Sequence, residues 1–396
     1  MEPISKRWLA MGAFALYSAL NYLDRQTLSA LAPQIMDEFH LSNEDYGWLQ
    51  SAFYAVYAVC SPFAGLLIDR IGLSRGAVLT VSLWSLAAAS TGISKGFGGL
   101  VACRLLLGVA ESGAIPAFAK ASATYLPPNQ RALGAGLNQV GLSTGSVAAP
   151  LLAGSVAAKY GWRTAFAVSG LAGLLWIPLW KFVERRTQAA FREQTGPVMS
   201  VREMLRDRRL YALIAGNMLI MTVYSLWTHW TTLFLVQRYH LTQESANQGY
   251  AWIPQICGTA GGLFGGWLAM KWMSAGATVM QARSRSILTG ALVLLAATVA
   301  VPLMPGPALA TIMVSFSFFW SVASSSNMYA LPQDLFGPRR TGFAVAGITS
   351  GYGWMTVFFS PLIGRLVDSY GFVPVCQLSA VLPLAGWVLL RVTIFR

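Results

Sequence analysis

The sequence predicts an all-α membrane protein with twelve transmembrane helices in two pseudo-symmetric six-helix halves. Three observations carry this reading. Of 396 residues, 55% are hydrophobic and 11% charged, with a mean hydropathy of +0.53. An average soluble domain has about 25% charged residues, because its exterior must be polar. Apolar windows long enough to cross a bilayer, about 20 residues each, recur twelve times. Motifs of the first half also return, weakened, in the second. The composition excludes a disordered chain, a disulfide-stapled secreted scaffold and an ordinary soluble enzyme.

The start, Met1 to Arg7, leads into the first window without a cleavable signal pattern, so that window is expected to remain as a helix. The first six helices are predicted at 8–32, 45–68, 76–94, 98–125, 132–157 and 162–182. The second six are predicted at 209–236, 248–270, 285–304, 307–330, 343–364 and 372–393. Between them lies the one long polar segment, which contains Glu184, Arg185, Arg186, Arg192, Glu193, Arg202 and Arg206. The expected organisation is thus an N-terminal half over 1–182, a cytoplasmic linker over 183–208 and a C-terminal half over 209–396.

Charge fixes the expected orientation. The formal net charge is +13; even-numbered loops, linker and tails hold 20 of the 28 Lys and Arg, and the opposite side holds 5. By the positive-inside rule both termini face the cytoplasm, as an even number of crossings requires. A multi-pass protein of the cell (inner) membrane is the expected setting, and the basic excess is assigned to the anionic leaflet, with no nucleic-acid partner. Cys60, Cys103, Cys257 and Cys376 lie far apart in apolar stretches, so no metal or redox site is expected. No nucleotide loop, catalytic triad or cofactor motif points to an enzyme.

The repeat divides the chain at the same place. Gly65-Leu66-Leu67-Ile68-Asp69-Arg70 returns as Gly266-Trp267-Leu268-Ala269-Met270-Lys271, an offset of 201. Leu126-Pro127 returns as Leu331-Pro332 and Tyr160-Gly161-Trp162 as Tyr370-Gly371-Phe372, offsets of 205 and 210. Similar offsets in one order indicate two parallel six-helix repeats.

The turn between helices two and three reads G-L-L-I-D-R-I-G-L-S-R from Gly65 to Arg75. It resembles the signature loop of the major facilitator superfamily, G-x-x-x-D-R-x-G-x-[RK]-[RK], in which Gly65, Asp69, Arg70, Gly72 and Arg75 match and Ser74 departs. The resemblance extends over essentially the whole chain and implies the major facilitator fold. It also implies that this loop is a conformational latch on the cytoplasmic side, with no role in binding substrate. The second copy has Met270 where the acid would stand.

Charges inside helices are more informative. Helix one contains Asn21-Tyr22-Leu23-Asp24-Arg25-Gln26, and helix four contains Arg104 and Glu111. Each buried charge costs about 2.5–3.5 kcal/mol at mid-bilayer on the insertion scale unless paired or hydrated. Asp24 and Arg25 lie about 100° apart around a helix and cannot face one another. Arg104 and Glu111, seven residues apart, share a face about 10 Å apart along the axis. The expected arrangement has Arg25 in a central aqueous cavity and Asp24 neutralised by a neighbour, with Arg104 as the candidate. Glu111 then has no cation beside it in sequence.

A carboxyl group in that setting is a proton-carrier candidate, because moving between an apolar surround and the side of an arginine changes its proton affinity. Arg25 keeps its charge and offers a planar fork for a carboxylate. Together they point to a small anionic substrate accompanied by protons.

N-Y-L-D-R-Q-T-L-S in helix one and R-L-L-L-G-V-A-E-S-G-A-I-P-A in helix four are similar to the anion:cation symporter branch of the superfamily. That branch contains hexuronate and aldonate transporters and the sialic-acid and vesicular glutamate carriers. The resemblance implies that Arg25 binds the substrate carboxylate, Tyr22 and Tyr57 line its pocket, Asp24 and Glu111 are proton-coupling acids, and Arg104 joins the network.

Elsewhere the residues leave alternatives open. Asn138 and Gln139 in helix five, and Tyr224 and Asn327 in helices seven and ten, are each compatible with a cavity that binds hydroxyls or with interhelical hydrogen bonding. His229 is expected near the membrane interface, at the outer end of helix seven. The function read from the sequence is proton-coupled import of a small organic anion, a sugar acid such as a hexuronate or aldonate, by a monomer working by alternating access. The rivals are an exporter or antiporter of amphipathic or lipid-like molecules, and a non-transporting receptor.

Overall fold

The computed structural model describes residues 4–126, 130–187, 205–336 and 341–395. They form twelve helical rods and no strand. The first six are α1 (Ile4–Phe39), α2 (Asn43–Ile71), α3 (Leu73–Ser90), α4 (Phe97–Glu111 and Ala114–Tyr125), α5 (Arg131–Ala148 and Gly154–Tyr160, joined by a π turn) and α6 (Trp162–Leu174 and Trp176–Arg186). The others are α7 (Arg208–Ile220 and Thr222–Tyr239), α8 (a first turn Gln243–Ala246, a π turn, then Ile253–Ser274), α9 (Val279–Ala300), α10 (Pro307–Phe336), α11 (Thr341–Tyr370) and α12 (Phe372–Thr393). By length and composition eight of these qualify as membrane spans: α3 to α7, α9, α10 and α12. α1 does not reach that threshold, as its mid-length Asn21, Asp24, Arg25 and Gln26 lower its hydropathy. Most of the expected linker lies outside the described residues.

The chain divides into two compact units that follow the sequence halves except for two short exchanges. Unit 1 comprises Met1–Leu41, Trp48–Thr195 and Thr242–Trp252; unit 2 comprises Ser42–Gly47, Gly196–Leu241 and Ile253–Arg396. The helix pairings correspond. In unit 1, α1 packs on α5 and α3 on α4 and α6; in unit 2, α7 packs on α11 and α9 on α10 and α12.

A further repeat marks the exchanged pieces. Phe39-His40-Leu41-Ser42-Asn43-Glu44 and Tyr239-His240-Leu241-Thr242-Gln243-Glu244 are 200 residues apart. His40 and His240 end α1 and α7 in the left-handed region, with φ of 51° and 54°, where few residues other than glycine settle. Ser42 and Thr242 then accept the amide N–H of Asp45 (3.0 Å) and Ser245 (3.1 Å), capping the next helices. In unit 2 Asp368 of α11 accepts the backbone N–H groups of Asn43 (3.1 Å) and Glu44 (3.0 Å), and Arg365 pairs with Glu44 at 2.8 Å. In unit 1 the Asn247 amide donates to the Ala30 carbonyl at 2.7 Å.

Unit 1 centres on an aromatic cluster that fixes α1. Trp176 and Trp180 stack with centroids 5.5 Å apart, Tyr17 meets Trp84 edge-on at 4.6 Å, and the Trp176 indole donates to the Ala13 carbonyl at 2.6 Å. In unit 2, α8 and α10 approach at Gly265, where an added Cβ would run into the Ala323 carbonyl.

Candidate functional site

The site in unit 1 is built on the middle of α1, which the aromatic cluster holds from one side. Asp24 and Arg25 leave that helix in different directions, as their spacing requires, and both are buried. The Arg25 Nε donates to Oε2 of Glu111 at 2.8 Å, and its terminal NH2 lies 2.8 Å from the same oxygen. Glu111 has no exposed side-chain surface and Arg25 has 6%. Glu111 has no cation beside it in sequence, and its partner comes from α1, which spacing along α4 could not reveal.

Local chemistry places Glu111. Pro116 has no N–H to offer the Ser112 carbonyl, and the helix breaks at Ser112 and Gly113. The Ser112 hydroxyl folds back onto the Val109 carbonyl at 2.6 Å. Glu111 is the last residue of the first α4 segment. One turn earlier stands Gly108, where a Cβ would lie 2.6 Å from the Phe53 carbonyl oxygen. That contact lets α4 approach the backbone of α2 where the aromatic partners of Arg25 arise.

The guanidinium is enclosed by three rings. Its Cζ lies 4.8 Å from the Tyr22 centroid, 4.9 Å from Phe53 and 4.8 Å from Tyr57. Phe53 and Tyr57, one α2 turn apart, stack at 5.6 Å. Each face contributes about 0.5–2 kcal/mol of cation–π attraction, more as water is excluded. Phe53 was missed by the sequence reading, although its i, i+4 spacing from Tyr57 was a usable signal.

Asp24 lies deeper, with no exposed surface. Ser169 of α6 and Arg104 of α4 lie close enough to act on it, and Glu111 repels it. Arg104, 1% exposed, acts on Glu111 as well. Two buried cations and two buried acids thus balance in one cluster, which offsets much of the desolvation cost of each. Asn138 of α5 accepts the Ser18 hydroxyl of α1 at 2.6 Å, an interhelical bond.

In unit 2 the softer expectations fare differently. Both Nδ2 bonds of Asn327 go to backbone carbonyls, of Gly265 and Ala323 at 3.0 Å each, and its Oδ1 accepts from Arg283 at 3.1 Å. That is an interhelical tie engaging both amide protons and one lone pair of the oxygen. Tyr224 stacks on Phe318 at 5.1 Å and meets Tyr352 edge-on at 5.9 Å, which keeps it in an aromatic group. His229 is buried, with 2% of its surface exposed, ten residues before the end of α7 at Tyr239.

At the signature loop, Gly72 ends α2 at φ +89°, a conformation open to glycine. Arg70 and Arg75 are exposed. Gly65 lies against Pro116 of α4, to which an added Cβ would come within 3.7 Å. The side chain of Asp69 lies outside the described residues. Lys120 donates to the Ile68 carbonyl at 3.1 Å, satisfying the α2 C-terminus. Ser74, where the signature is basic, accepts both the Trp180 indole and the Lys181 ammonium at 3.1 Å, so α6 supplies the missing cation. In the second copy Arg283 pairs with Asp334 of α10 at 3.0 Å.

Comparison with known proteins gives three results. The family model for the Major Facilitator Superfamily matches residues 14–349. The hexuronate transporter of Escherichia coli (strain K12) is 27% identical over 97% of this chain and 94% of its own. The galacturonate transporter of Dickeya chrysanthemi is 28% identical over 67% and 81%, and the D-galactonate transporter of Escherichia coli O6:H1 is 24% identical over 97% and 95%. Among solved structures, a bacterial homologue of the human lysosomal transporter Spinster superimposes with a TM-score of 0.74 at 19% identity, covering 99% of this chain and 96% of that one.

Proposed function

Because the chain belongs to the Major Facilitator Superfamily and is a multi-pass membrane transporter, we propose that it carries a small sugar acid, such as a hexuronate or aldonate, together with protons. The observation that carries this reading is the Arg25–Glu111 pair inside its three-ring cage. A cavity for amphipathic or lipid-like cargo has no use for a guanidinium at that depth, whereas a carboxylate substrate needs one. The named cargo of the curated relatives supports the same substrate class.

In this mechanism Glu111 holds the guanidinium when substrate is absent. A substrate carboxylate takes over the fork of Arg25 and leaves Glu111 as a buried acid without its cation, a state it relieves by taking a proton. Anion binding and proton binding then support each other. Asp24, under the influence of Arg104, is the second carrier. One proton per monoanion makes transport electroneutral, and each further proton adds about 2.3 kcal/mol per 100 mV to the attainable gradient. Alternating access of the two helix sets about a midplane site completes the cycle. The basic bias of the loops supports placing both termini in the cytoplasm of a cell whose inner membrane holds the protein as a monomer.

The test is uptake into proteoliposomes across a panel of hexuronates, aldonates and simple carboxylates, with an imposed proton gradient. Asp24→Asn and Glu111→Gln mimic permanent protonation. Each is expected to lose uphill accumulation, and at least one to keep counterflow of labelled for unlabelled substrate. Accumulation preserved in both variants overturns the coupling assignment, and a protein that moves none of the acids overturns the substrate class.

A further inference from the structure

Several cations of this protein lie over aromatic rings at helix ends, and some of them have an acid at hand. Arg209 is bridged to Asp207 at 2.8 Å, Arg163 to Glu38 at 2.6 Å, and Arg186, over Phe182 at 3.9 Å, has the Lys181–Glu184 pair beside it in sequence. The end of the α8–α9 pair in unit 2 places two such cations on adjoining helices. Lys271 lies over the Trp267 ring at 5.2 Å and Arg285 over the Trp272 ring at 5.3 Å. Both cations are exposed, and among the described residues neither has a carboxylate within ion-pair distance. The acid on the neighbouring helix, Asp334, is taken by Arg283 at 3.0 Å. The connecting turn, Ser274 to Ala277, carries no side chain larger than a hydroxymethyl group.

An apolar track continues from it along α8 and α10. Trp267 meets Phe264 at 5.3 Å, Phe264 meets Trp320 of α10 at 5.4 Å, and Trp320 meets Phe316 at 6.5 Å. Leu263 (77% exposed), Met270 (59%), Trp267 and Phe316 (47% each) give this track an open outer surface. Cations at the helix ends, indoles beside them and an aromatic stripe farther along α8 and α10 form a sequence that matches one class of molecule.

We propose that the α8–α9 end of unit 2 binds an anionic phospholipid, with its phosphate on Lys271 and Arg285, its glycerol edge against Trp267 and Trp272, and an acyl chain along Phe264, Trp320 and Phe316. The chemistry shared with free phosphate is the anion; the apolar track selects the lipid. The site shares no residue with the Arg25 cluster and does not depend on the transport reading.

The experiment is a thermal-unfolding titration of the detergent-solubilised, delipidated chain with phosphatidylglycerol, cardiolipin, phosphatidylethanolamine and inorganic phosphate, together with native mass measurement of retained lipid. The two anionic lipids are expected to raise the melting temperature; phosphatidylethanolamine and inorganic phosphate are not. A Lys or Arg near an anionic lipid surface contributes about fivefold in affinity, so Lys271→Gln with Arg285→Gln should weaken the lipid by roughly 25-fold. Lys271→Arg with Arg285→Lys keeps the charges and should keep the lipid. Equal stabilisation of the wild type and the double Gln variant overturns the proposal, as does an equal response to inorganic phosphate. If the double Gln variant does not fold, Lys271→Gln alone is read by lipid retention, and retention equal to wild type overturns it.

Discussion

Arg25 of α1 and Glu111 of α4 share a hydrogen bond of 2.8 Å, 86 residues apart in sequence, in a site closed to solvent. Neither helix would tolerate its charge alone. The pair therefore fixes the relation between α1 and α4 as much as it prepares a guanidinium for an anion.

Removing one partner should show this as a stability effect. Arg25→Ala leaves an uncompensated buried carboxylate and is expected to destabilise the protein by about 3–5 kcal/mol. Adding Glu111→Gln should recover most of that loss without restoring substrate binding. Arg25→Lys retains the charge and folds, but loses the fork and recovers little affinity. Melting curves and calorimetric binding on the three variants decide; an Arg25→Ala protein that melts like wild type removes the pair from its assigned role.

The ring cage should be separable from the hydroxyls. Phe53→Leu and Tyr57→Leu each remove one face worth about 0.5–2 kcal/mol, so substrate affinity should fall about 2- to 30-fold. Tyr57→Phe keeps the face and isolates the contribution of the hydroxyl. Unchanged dissociation constants in both Leu variants would show that the rings contribute packing alone.

Gly108→Ala places a methyl group 2.6 Å from the Phe53 carbonyl oxygen, which helix α4 can relieve only by moving off α2. Overpacking of this kind costs about 1–3 kcal/mol, and the shift carries Glu111 with it. Both stability and substrate affinity are expected to drop. Gly98→Ala on the same helix, with nothing within 4 Å of the new methyl, is the control and should be neutral or slightly stabilising. Equal behaviour of the two variants counts against the close approach.

Glu38, at the end of α1, accepts the Trp162 indole N–H at 2.5 Å and pairs with Arg163 at 2.6 Å. The indole bond first, and Arg163 with it, hold the carboxyl below its usual value of 4.5. A lowered folded value means that the contribution is fully present above pH 4.5 and disappears as pH falls through the folded value. Trp162→Phe should therefore melt below wild type at neutral pH, with the gap narrowing in acid below that window. A gap constant down to pH 3 assigns the whole effect to ring packing.

By itself the sequence determined the membrane setting, the helix count, the two-fold repeat and the set of buried charges. These follow from composition and periodicity, which act along one helix at a time. It also contained the Phe39–Glu44 and Tyr239–Glu244 repeat, whose turn chemistry is local and legible. The 100° step from Asp24 to Arg25 correctly forbade their facing each other. What faces them instead depends on which helices pack together and in what register, and that only the tertiary structure decided. It gave Glu111 to Arg25, and added Phe53 to the cage through the close approach at Gly108. It gave the Asn327 amide the Gly265 carbonyl and the Arg283 guanidinium of neighbouring helices, and it buried His229. In each case the sequence supplied the chemical group, and packing between helices distant in sequence selected its partner.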